Sequence, residues 1–114
     1  MNVDTVERRL RKALLDRNTR LWSRKLDGET LAGVEYAGKA VEVVVDPMRG
    51  GLIECVVHEL LHAVYAKELA RWGDLEECIV VAVEKEVMAV VNNSTRRVRW
   101  WRDAITRKLG KEAE

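Results

Sequence analysis

A chain of 114 residues with 47% hydrophobic and 34% charged side chains has the length and composition of one globular domain able to bury its own core. Two cysteines, Cys55 and Cys78, make no disulfide framework and point to a reducing compartment. The opening residues carry no signal-type apolar run, and no apolar stretch reaches membrane-spanning length, so a cytoplasmic protein with no membrane partner is expected.

Residues 4–25 read as a helix within an N-terminal basic segment, 1–26, because Val3, Val6, Leu10, Leu14 and Leu21 share one stripe. "LDGET" breaks the pattern, with Gly28 as a stop. Residues 29–47 change period. Val41, Val43 and Val45 alternate with Glu42 and Val44, and "AGK" can turn the chain, so a β-hairpin ending at Asp46-Pro47 is expected, followed by the loop "MRGG". Residues 52–72 form an apolar helix, closed by Gly73, with Asp74 as the next N-cap. A second apolar helix covers 75–92. A basic one covers 94–110, with Val98, Trp101, Ile105 and Leu109 on its stripe and Trp100 off it. The class is α+β in a single domain.

The net charge of +1 conceals a segregation. Residues 1–26 carry eight basic and three acidic side chains, and residues 94–114 carry seven and three. Residues 27–93 carry five basic and thirteen acidic ones, and both histidines lie there.

Those histidines stand in "CVVHELLHAVY". His58 and His62, four apart on a helix, present their imidazoles on one face, one turn apart. Two such nitrogens can bind one zinc ion at about 2.0–2.1 Å each. Glu59 lies about 100° around the helix, near that ion without being a ligand, where it can take a proton from a water that the metal acidifies. This is the physical content of the H-E-x-x-H pattern. The helix is apolar almost all round, so burying two histidines and a glutamate there would be costly without a function. Cys55 shares the histidine face and with Cys78 offers a structural Cys2His2 zinc site. Cys55 and His62 are separated by about 10 Å of helix rise, which argues against it. Tyr65, three residues after His62, could steady an oxyanion, although packing is the simpler role.

A catalytic zinc takes three protein ligands. The chain has no third histidine, so a carboxylate of the helix over 75–92 is required. Glu77 and Glu84 fall within its apolar arc, Glu76 lies at the arc's other side, and Glu86 falls outside it. Asp74-Leu75-Glu76-Glu77 also has the form of a capping box, which would occupy Glu77. Helix geometry alone favours Glu84. If the first helix runs to Trp72, an antiparallel partner returns to the level of His62 only near that residue.

"VEVVVDP", then "VVHELLHAVY", then "DLEECIVVAVEKEVMAVV", over roughly residues 22–92, resembles the small gluzincin-like zincin metallopeptidases common in phage and prophage genomes. The resemblance implies a minimal zincin-like fold, a short sheet packed on an active-site helix. It implies zinc held by His58, His62 and Glu77, with Glu59 as general base, and a peptide or protein substrate. Glu84 would then stand near the site as an acceptor for a ligand histidine. The thermolysin-type acidic residue four positions beyond the third ligand is absent, since that position is Val81.

Three further expectations follow from the residues. The strand Val41–Val45 could serve as an edge that an extended peptide joins. The basic ends and "RRVRWWR" raise nucleic-acid binding as a competitor, with solvated helix faces the favoured account. A zinc-stabilised module that binds nucleic acid or protein without turnover is the alternative to a peptidase.

Overall fold

The computed structural model describes residues 2–23, 32–37, 40–45 and 51–112. The chain runs α1 (Val3–Leu15), β1 (Thr19–Ser23), β2 (Ala32–Ala37), β3 (Ala40–Val45), α2 (Leu52–Val64), α3 (Ala66–Ala70), a 3-10 turn (Gly73–Leu75), α4 (Glu76–Asn92) and α5 (Thr95–Glu112). The class is α+β. The break at "LDGET" with Gly28, the turn residues Gly38 and Lys39, and Asp46 to Gly50 lie outside the described residues.

Helix α1 starts where Asn2 accepts hydrogen bonds from the backbone of Asp4 and Thr5, satisfying two amides that a helix start leaves open. It stops at Leu15, ten residues short of the expected end. Asp16 turns extended, and its side chain accepts from the amide of Asn18 at 2.7 Å. The ammonium of Lys108, on α5, donates to the carbonyls of Leu14 and Asp16 at 2.6 and 2.8 Å. Leu21 therefore belongs to a strand rather than to the helix stripe.

That strand reorganises the sheet. The order is β1-β3-β2, with β1 parallel to β3 and β2 antiparallel to it. The β2–β3 hairpin appears as expected. The central position of β3 overturns the expectation that Val41–Val45 forms an edge, because both its sides are paired. Leu21 lies opposite Val43 in register, and Leu21, Val43 and Val45 are fully buried. With Leu10, Leu14, Val56, Val57, Leu60, Val87, Trp101 and Ile105 they form one core.

Helix α2 packs on β2 and β3 and against α1 and α4. It ends at Val64, not at Trp72, because Tyr65 leaves the helical region at φ −106°, ψ 23°. The short α3 follows, and Gly73 adopts a positive φ of 53°, the left-handed conformation that glycine tolerates. No side chain caps α4, whose start is preceded by the 3-10 turn. The expected capping box led by Asp74 is therefore not formed, which frees Glu76 and Glu77. No helix among the described residues is long and apolar enough to cross a membrane.

Candidate metal centre

The early end of α2 lets the first turn of α4 meet the histidine face of α2. His58 Nε2 lies 2.8 Å from Oε1 of Glu77, and His62 Nε2 lies 2.9 Å from Oε2 of the same carboxylate. The two imidazole rings sit edge to face, with centroids 5.1 Å apart. Each Nδ1 has its own carboxylate. His58 Nδ1 donates to Glu84 Oε1 and His62 Nδ1 to Glu76 Oε2, both at 2.6 Å.

Ligand atoms of His58, His62 and Glu77 all lie within 4.8 Å of one another, so this group could hold a metal ion. The donor chemistry fits one. When each Nδ1–H is given to a carboxylate, the lone pair of a neutral imidazole is left on Nε2. Both Nε2 atoms face Glu77, where a cation would be shared. An acceptor behind each ligand histidine fixes its tautomer and raises its basicity. Glu77 is 61% exposed, so one side of the group opens to solvent while the histidines are mostly covered.

Glu59 is 8% exposed and sits one residue from His58 on the buried side of α2. Burial raises its carboxyl above the ordinary value, although the nearby His58 and His62 pull the other way. For His62, burial works to lower the pKa. The hydrogen bonds to Glu76 and Glu77 outweigh it, and the net shift is upward. Four carboxylates around two imidazoles make a strongly anionic cluster that a divalent cation would compensate.

The other candidates fall elsewhere. Cys55 is half-buried and Cys78 exposed, and neither joins the metal group. Burial and nearby carboxylates raise the Cys55 thiol, away from the thiolate a metal needs. Tyr65 lines an apolar recess of about 460 Å³ with Leu61, Ile79 and Val83, and the Arg9 guanidinium lies 5.6 Å from its ring centroid. Packing accounts for Tyr65. What the sequence did not assign is Glu76 as the partner of His62 Nδ1. The signal was available, since two ligand histidines need two acceptors and an acidic pair stands at the head of α4.

Compared with protein-family models, curated proteins and solved structures, the chain matches none.

Proposed function

We propose that the chain is a zinc-dependent peptidase with a minimal zincin-like fold, and that His58, His62 and Glu77 hold the ion. The observation that carries this reading is the convergence of both Nε2 atoms on one carboxylate, with a separate carboxylate behind each ring. A divalent ion in such a position supplies Lewis-acid polarisation of a carbonyl and acidifies water. The rest of the chemistry belongs to side chains of the chain. Glu59 takes the proton of the attacking water and delivers it to the departing amine nitrogen. Its burial makes the carboxylate more basic, which suits that role. Glu84 and Glu76 hold the two rings in the tautomer that puts the lone pair on Nε2.

An extended substrate would add to β2, which packs beside α2 and is paired only with β3 among the described residues. The apolar recess under Tyr65 is lined by α1, α3 and α4 with Leu61 of α2, and suits a large apolar side chain.

The test is cleavage of an unfolded protein by the purified chain, with zinc and with a chelator, beside Glu59→Gln. The amide keeps the shape of the carboxylate and cannot accept the proton. The variant should retain the metal and the fold and lose cleavage. Undiminished cleavage by the variant would remove Glu59 from the mechanism. A metal-loaded chain without turnover on any peptide would leave a metal-stabilised binding module instead.

A further inference from the structure

The two basic segments lie at opposite ends of the sequence, yet α1 and α5 pack side by side. Between them runs a groove of about 640 Å³. Its cations are Arg8 and Arg11 from α1, and Arg96 and Arg97 from α5, with Trp100 on the same wall. Among the described residues its carboxylates are Asp4 and Glu7.

The two pairs of arginines differ. Arg97 Nη1 lies 3.3 Å from Asp4 and 3.5 Å from Glu7, and Arg11 Nη2 lies 3.3 Å from Glu7. Those contacts fix Arg11 and Arg97. Arg8 and Arg96 are exposed, and among the described residues no carboxylate forms an ion pair with either. Arg99, Arg102 and Arg107 continue the cationic surface along the exposed side of α5, interrupted only by Asp103. Gathering like charges on one face opposes folding, so a polyanionic partner is the natural complement.

The chemistry of the groove selects among polyanions. Its cations are all arginines, whose planar forks bind phosphate in bidentate fashion. The apolar stripe of α5 is turned to the core, since Trp101 and Ile105 are fully buried and Val98 and Leu109 pack against them, so the described residues of the helix offer a lipid surface little to insert. A protein partner would need an apolar anchor at the centre of the contact. Trp100 cannot supply it freely. Arg11 lies 4.4 Å from its ring centroid, and Trp101 meets it edge to face at 5.2 Å. The same contacts leave little of the ring for stacking on a base.

We infer that the α1–α5 groove binds the phosphate backbone of a nucleic acid without reading its sequence. The site uses no residue of the metal centre, which lies on α2 and α4.

The test is fluorescence anisotropy with labelled mixed-sequence oligonucleotides, duplex and single-stranded, between about 50 and 200 mM salt. Two to four phosphates neutralised on a duplex give a slope of log affinity against log salt of about −2 to −4. Arg8→Glu combined with Arg96→Glu should weaken binding at least about tenfold at low salt and flatten that slope. Neither residue makes an ion pair among the described residues, so the melting temperature should hold. Arg8→Ala with Arg96→Ala should shift affinity in the same direction by less. Absence of binding to every oligonucleotide at low salt would overturn the inference. So would unchanged affinity in both folded double variants, or polyglutamate bound as tightly as DNA.

Discussion

His58 and Glu84 meet across 26 positions of chain, with Nδ1 of the ring 2.6 Å from Oε1 of the carboxylate. Glu84 stands two helical turns beyond Glu77, so one face of α4 offers a carboxylate to each side of the same imidazole. The contact orients the ring and fixes its tautomer, without placing Glu84 among the three grouped ligand residues. Glu84→Ala should therefore bind zinc about 10–100-fold more weakly, rather than lose it. Competition with a chromophoric chelator measures this. Complete loss of the metal would make Glu84 a ligand, and an unchanged affinity would make the contact incidental.

Glu77 and Glu76 are adjacent in sequence and differ in what they touch. Glu77 faces both Nε2 atoms, while Glu76 meets His62 at Nδ1. Among the three glutamates of α4 that meet the histidines, Glu77→Ala should show the largest loss of zinc affinity. Glu76→Ala should resemble Glu84→Ala. His58→Ala and His62→Ala should each abolish binding of the single ion. A Glu77→Ala chain with wild-type affinity would reject the ligand assignment.

The i, i+4 histidines and the acidic pair were legible, because helix periodicity places side chains without knowledge of the partner. The end of α2 was not. Val64-Tyr65-Ala66 contains no glycine or proline, so no residue type marks the bend that Tyr65 makes there. Helix geometry had favoured Glu84 as the third ligand on the assumption of a helix unbroken to Trp72. The break removes that assumption and brings the first turn of α4 to the level of His62. Strand β1 was missed for a different reason. Leu21 falls seven residues after Leu14, in phase with the α1 stripe, and hid the turn that Asp16 and Asn18 make. That single error made Val41–Val45 look like an edge.

Trp101 is completely buried, and its Nε1–H donates to Glu7 Oε2 at 3.2 Å. The bond ties α5 to α1 and helps satisfy a carboxylate that is itself buried. Trp101→Ala removes the ring from the core and a hydrogen bond from Glu7. A loss of about 3–5 kcal/mol is expected, read from denaturant unfolding. Trp100→Ala should cost less, since that ring is only partly covered. Equal losses at the two positions would contradict the packing.

In the metal-free protein both ring nitrogens of His62 face carboxylates, Nδ1 at Glu76 and Nε2 at Glu77. Such a ring is fully satisfied only when both nitrogens carry protons. Burial opposes the charge, but those two hydrogen bonds outweigh it and raise the pKa above 6.5. The stabilisation this gives the metal-free fold is fully present below pH 6.5 and is lost as pH rises through the raised value. Glu59, raised above 4.5 by burial against the pull of His58 and His62, acts in the same direction at lower pH. Its contribution is present below 4.5 and fades as pH climbs through its own raised value. Zinc runs the other way, because binding must displace the Nε2 proton. The gap in melting temperature between zinc-loaded and chelated protein should therefore widen from about pH 5.5 to about pH 8. Thermal melts in matched buffers, with and without zinc, measure it directly. A gap that narrows as pH rises would mean that zinc does not compete with protons for these imidazoles, and the ion would have to be held elsewhere.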